Sequence, residues 1–192
     1  MFLPGSKVAR VSCLACVIGS MSFASGSDSY PSPNAEFQLR YEVGPVVEAF
    51  NESSQTATLK FQNNVCWTYT SVARGFSFSW APDSSGFLFG ITHITRSMFL
   101  YYVHLGEGGD VYPISIELHS IEKHISASLP PRQGASAPKA GIDFNKVKWV
   151  TPKQCQVLFS QSFLGENADS ILEIDLENPF KPSVKVISTE AR

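Results

Sequence analysis

An all-β fold of consecutive antiparallel four-stranded meanders is the architecture this sequence predicts, and three observations predict it. Residues 75–90, GFSFSWAPDSSGFLFG, alternate Phe76, Phe78 and Trp80 on one side with Ser77 and Ser79 on the other. They turn at 81–86 and return through Phe87-Leu88-Phe89, a strand apolar on both faces. The arrangement recurs at an offset of about 70 residues, which is the second observation. Phe78-Ser79-Trp80 matches Val147-Lys148-Trp149, and each passes through a Pro-bearing turn, at 81–86 and 151–154, into an apolar strand. Third strands at 98–105 and 171–176, and fourth strands at 111–116 and 184–188, complete the two copies. Third, helical periodicity is nearly absent: residues 118–125 are the best helical candidate and read equally well as strand.

The whole chain fits that class. Its 192 residues suit one domain, and an apolar fraction of 43% with 12% aromatics supplies a core. The net charge is −2, and −4 once Lys7 and Arg10 are removed with the first 24 residues. A mildly acidic chain without a basic run argues against a nucleic-acid or anionic-membrane surface.

Taken in order, residues 1–26 read as an export signal. Lys7 and Arg10 form the cationic start, 11–19 the apolar run, and Ser22-Phe23-Ala24 the small-residue cleavage site. The run is far shorter than the roughly 20 residues a membrane span needs. A periplasmic or secreted location follows, with Leu14-Ala15-Cys16 leaving a lipoprotein version open. Residues 27–36 are Ser/Pro-rich and read as an unstructured lead-in. A single β domain then covers 37–192. Within 37–74, the stretches 37–43 and 66–72 are strand-prone, and 45–50 and 57–61 form a hairpin around a polar loop at 51–55. Asn51-Glu52-Ser53 also spells a glycosylation acceptor, but so short a triplet is common by chance and a polar turn is the preferred reading. The first repeat unit occupies 75–125, a Pro/Ala/Ser-rich loop 126–141, and the second unit 142–192.

Removal of the signal takes Cys13 and Cys16 with it. In an oxidising compartment, Cys66 and Cys155 are then expected to form one disulfide worth about 2–4 kcal/mol. Neither has a second ligand at metal-binding spacing, so no metal or other cofactor is expected there.

Aromatic-Ser-Trp, then Ala-Pro-Asp-Ser-Ser-Gly, then Phe-Leu-Phe resembles the turn of TolB-type and prolyl-oligopeptidase-type β-propeller blades. The resemblance covers 76–188 and implies roles for particular residues. Pro82 fixes φ, Asp83 bonds backbone amides, Gly86 accepts a positive φ, and Trp80 packs between neighbouring blades. The second copy keeps Trp149 and Pro152 but has Lys153-Gln154 where Asp and Gly are expected. At most about three blades can be built, whereas closed propellers need roughly 4–8. An open stack or a β-sandwich is therefore preferred to a ring of several copies.

Catalytic signatures are missing from the sequence: there is no Gly-x-Ser-x-Gly elbow, no Walker loop and no dinucleotide fingerprint. Gly106, Gly108 and Gly109 read as a hairpin loop, and His104 as a core-facing histidine. His119, Glu122 and His124 are the one metal-like constellation. Their i, i+3, i+5 spacing differs from the i, i+4 of zincins, and the preferred reading is a solvated strand end. Glu173, Asp175 and Glu177 alternate with Leu172, Ile174 and Leu176, as on the outer face of a strand. Trp67, Tyr69 and Tyr112 are aromatics left over from the core pattern and form the candidate binding patch for a sugar or a protein. Taken together, these readings predict an exported, non-enzymatic binding or interaction module. A hydrolase using His119, Glu122 and His124, and a structural envelope component, are the alternatives.

Overall fold

The computed structural model describes residues 28–93, 98–128, 139–163 and 166–191. The expected export signal and most of the inter-unit loop lie outside them. The elements are β1 (Asp28–Pro31), β2 (Phe37–Val47), β3 (Glu52–Phe61), β4 (Asn64–Trp80), β5 (Gly86–His93), β6 (Met98–Leu105) and β7 (Val111–Ile116). They continue with α1 (His119–Ser128), β8 (Lys139–Thr151), β9 (Gln154–Phe163), β10 (Glu166–Asp175) and β11 (Ser183–Ala191). All described strand pairs are antiparallel, in a seven-stranded meander β1–β7 and a four-stranded meander β8–β11, and neither sheet closes on itself. The all-β, open-stack fold is thus the one the sequence predicts.

β4 is the element that gives the first sheet its shape. At 17 residues it is long enough to serve two neighbours. Its first half, up to Val72, pairs with β3, and its second half, from Ala73 to Trp80, pairs with β5. The register shifts between Ala73 and Gly75, where a buried alanine and a glycine let the strand pass from one layer to the next. The meander therefore reads as two four-stranded units sharing β4, and β8–β11 form a third. β1 falls in the stretch expected to be unstructured, and it completes the first unit.

The central unit is buried on both faces. Residues Gly86 to Ile91 of β5 are all buried, as a strand apolar on both sides requires. Phe87, Phe89 and Ile91 join Leu39, Leu59, Phe76 and Val103 in the core between the first and second units. Leu88, Leu100 and Tyr102, on the opposite face, join Val157, Phe159, Leu172 and Ile174 in the core between the second and third. α1, which follows β7, lies beside this second core: Ile121 and Ile125 on one helical face, with Leu118 just before the helix, are buried in it. Residues 119–128 are accordingly helix, and the strand-end reading of His119, Glu122 and His124 is corrected.

Two further expectations are corrected. The β2–β3 turn lies at Glu48–Asn51, and 52–55 belongs to β3. This polar run hides Gln55, which is buried, accepts from Tyr41 Oη at 2.6 Å and donates to the Ala73 carbonyl at 2.7 Å. Cys66 and Cys155 are both free thiols. Cys66 packs on the core between the first and second units, and Cys155 sits in the core between the second and third. The paired β5–β6 layer stands between them, so no disulfide geometry is reachable.

Candidate functional site

The repeated turn is where the units meet. In the turn after β4, Ala81 N donates to Gly86 O at 2.9 Å, Ser84 N to Ala81 O at 3.0 Å, and Ser85 N to Asp83 Oδ1 at 3.0 Å. The turn after β1 repeats all three bonds: Ser32 N to Phe37 O at 2.9 Å, Ala35 N to Ser32 O at 2.8 Å, and Glu36 N to Asn34 Oδ1 at 3.1 Å. Pro33 and Asn34 thus stand where Pro82 and Asp83 stand in the second unit. The two turns touch, with Asn34 N donating to Ser84 Oγ at 3.0 Å. Positive φ is carried by Ser84 (63°) and Ala35 (61°), and Gly86 is not among the positive-φ residues. The role expected of Gly86 is corrected: it is glycine because an added Cβ would lie 2.5 Å from the Val103 carbonyl oxygen and 2.6 Å from Tyr102.

The tryptophans sit at unit boundaries. Trp80 packs on Phe87 with ring centroids 4.8 Å apart, on the side of the first unit. Trp149 is packed on the core between the second and third units, and its Nε1 donates to Ser79 Oγ at 3.0 Å. The turn at Pro152 is shorter than the other two, since Thr151 pairs directly with Gln154.

Trp67, Tyr69 and Tyr112 do not form one patch. Trp67 and Tyr69 are half-buried, stacked on each other at 6.2 Å, with their rings edge-on to Phe89. They close the margin of the first core. Tyr112 lies on β7, 41% exposed, next to His104 and to Phe180 from the β10–β11 turn. On α1, His119 Nδ1 lies 3.9 Å from Glu122 Oε2, and His119 is mostly exposed; the side chain of His124 lies outside the described residues. Among the described residues, no three His, Cys, Asp or Glu side chains converge as a metal site, and no helix is long and apolar enough to cross a membrane.

A different place concentrates accessible polar groups: the cleft between the second and third units. β8 shapes it. Between Asp143 and Lys148 its register shifts, so that 144–147 stand opposite the single residue Val157 of β9. The bulge carries Phe144 onto β5, where Gly90 leaves room for the ring; an added Cβ there would lie 2.5 Å from it. Ile142 N donates to Met98 Sδ at 3.1 Å and holds β8 to β6. One lobe of about 330 Å³ lies between β4 and this bulge, with Arg74, Gly75, Ser77, Phe78, Phe144 and Asn145 on its walls. A second, of about 620 Å³, continues over β8–β10 past Gly141, Lys146, Ser160, Ser162 and Asn167. Thr92, Ile142 and Asp143 belong to both. Each lobe falls within the range of about 300–1,000 Å³ usual for ligand pockets.

Ion pairs settle the charges around the cleft. Arg74 Nε is 3.2 Å from Glu52 Oε1, and Lys146 Nζ is 3.4 Å from Asp143 Oδ2. Asp143 Oδ1 also accepts from Asn145 N at 3.1 Å, which fixes the start of the bulge. In the second lobe Ser160 Oγ donates to Asp169 Oδ1 at 2.7 Å. No local motif brings these groups together, because the lobes are assembled from β2, β4, β5, β8, β9 and β10. Glycines inside strands were the available signal: Gly75 and Gly141 both line the cleft, and an added Cβ at either meets no atom within 4 Å. Comparison with family models, with curated proteins and with solved structures found no match to the chain.

Proposed function

We propose that this chain is an exported, non-enzymatic binding module of a cell envelope, and that the cleft between its second and third units is where it binds. The observation that carries the reading is that cleft. It is rimmed by hydroxyls and amides and built on strands and the bulge of β8 rather than on loops. The signal-like residues 1–26 support export to the periplasm or beyond. The duplicated Pro-Asn/Asp turns support a kinship of architecture with TolB-type blades, and that architecture is used for binding and for enzyme-accessory roles alike.

Both outer faces of the stack carry polar pairs, beside the exposed Ile171 and Ile187 of the third unit. Thr56 and Thr70 meet across β3 and β4 with their hydroxyls 3.0 Å apart, and Arg40 pairs with Glu42 on β2. At the other end Glu173 stands opposite Lys185. Polar ends of this kind cap a repeat stack.

Capture from the host's own envelope extract by immobilised residues 27–192, with mass-spectrometric identification of bound proteins and glycans, tests the reading. One saturable ligand is the expected result. A blank extract together with a hydrolytic activity that depends on His119 and Glu122 would replace it with the enzyme alternative.

A further inference from the structure

We infer that the cleft takes a neutral oligosaccharide, an inference that rests on reading the cleft as the binding site. Charge is the first argument. The charged side chains on the cleft walls are already engaged, Arg74 with Glu52 at 3.2 Å, Lys146 with Asp143 at 3.4 Å, and Asp169 with the Ser160 hydroxyl at 2.7 Å. An anionic or cationic ligand would compete with these partners for the same groups, whereas a neutral ligand leaves them in place.

The free groups are the second argument. The side chains of Ser77, Thr92 and Asn145 in the first lobe, and of Ser162 and Asn167 in the second, have no hydrogen-bond partner among the described residues. Hydroxyls and amides both donate and accept, which is what a ring bearing hydroxyl groups demands of its site. The half-buried rings of Phe78 and Phe144, with Ile142, form the apolar part. A pyranose has the matching shape, with hydroxyls at its rim and C–H groups on its faces.

Length and access complete the case. The two lobes adjoin, sharing Thr92, Ile142 and Asp143 in their walls, which gives room for more than one linked sugar unit. Gly75 and Gly141, one in each lobe, keep it open. An extended peptide fits the site poorly. The bulge at 144–147 interrupts the regular row of backbone groups on β8, and Lys146 and Lys148 guard that edge.

The test is calorimetric titration of the full chain with soluble neutral oligosaccharides of the glucose, mannose, galactose and N-acetylglucosamine series, one to four units long. An acidic uronate series serves as comparison. At least one neutral series is expected to bind saturably, with affinity rising with length. Gly75→Trp and Gly141→Trp fill the two lobes from positions where a Cβ meets nothing, and each is expected to weaken binding about tenfold or more while the circular dichroism and melting temperature hold. Asn145→Ala is expected to weaken it severalfold. Absence of binding by every neutral series at millimolar concentration, or tighter binding of the acidic series, overturns the inference. If Gly75→Trp nonetheless abolishes capture from the envelope extract, the cleft remains the binding site and only the ligand class has failed. Saccharide binding that survives both tryptophans overturns the site as well.

Discussion

Replacing Gly86 by alanine adds one methyl group where β5 and β6 approach closely in the central unit. Its Cβ would sit 2.5 Å from the Val103 carbonyl oxygen and 2.6 Å from both Cζ and Oη of Tyr102. Carbon atoms of side chains do not approach that closely, so β5 and β6 must separate by about half an ångström. Tyr102 has nowhere to retreat: it is 2% exposed and belongs to the core that also holds Cys155. Overpacking costs about 1–3 kcal/mol, and a clash with backbone rather than with a flexible side-chain end places this variant near the top, about 2–3 kcal/mol. For a chain of this size that lowers the melting temperature by roughly 4–12 °C. Gly75→Ala is the internal control. It lies in the same seven-stranded sheet, its added Cβ meets nothing, and relief of unfolded-chain entropy predicts a gain of about 0.4–1 kcal/mol. Urea unfolding followed by circular dichroism gives both values, provided the slope stays constant. Gly86→Asn distinguishes the two possible reasons for a glycine. Asparagine tolerates positive φ and would be milder than alanine if φ were the constraint, but it is larger and should be worse under the steric account. A loss below about 1 kcal/mol in Gly86→Ala, or a milder asparagine, would refute the reasoning.

Other consequences concern the junctions and the thiols. Ser79→Ala should cost about 0.5–1.5 kcal/mol and Trp149→Phe more, since it also gives up packing on the core; the double variant should match Trp149→Phe alone, because both changes remove the same hydrogen bond between the second and third units. Thiol titration of residues 27–192 in denaturant without reductant should find Cys66 and Cys155 both free; a protected pair would contradict their placement in separate cores. Burial pushes the Cys155 thiol up from 9.0 to about 12. Its neutral form stabilises the fold fully below about pH 9, and this contribution is lost as pH rises towards 12, at up to about 1.4 kcal/mol per pH unit. Stability measured from pH 8 to 10.5 should therefore fall less steeply in Cys155→Ala than in the unsubstituted chain, and equal slopes would count against it.

Much of the fold could be read from local pattern. The alternation in 98–105 and 111–116 places β6 and β7 at the bounds the structure has, and Phe87-Leu88-Phe89 announces a strand buried on both faces. What escaped was whatever local pattern disguises. Ser32-Pro33-Asn34 looks like a disordered lead-in by composition, and its equivalence to Ala81-Pro82-Asp83 becomes plain only through the shared bonds and the positive φ of Ala35 and Ser84. Gln55 sits in a polar run that reads as loop, yet Tyr41 and the Ala73 carbonyl satisfy its buried amide. Residues 118–125 have equal claims to helix and strand, and the core beneath Leu118, Ile121 and Ile125 decides for helix. The cleft was least legible. Arg74, Thr92, Asn145 and Asn167 are far apart in sequence, and only the stacking of three units brings them to one place.

The claim that the cleft between the second and third units is the binding surface is tested most directly by repeating envelope capture with two tryptophan variants side by side. Gly75→Trp blocks the cleft, and Thr70→Trp places the same ring on the exposed outer face of the first unit. The account predicts that the first variant loses the captured ligand and the second retains it. Retention by Gly75→Trp with loss in Thr70→Trp would move the binding surface to the outer face and contradict the account.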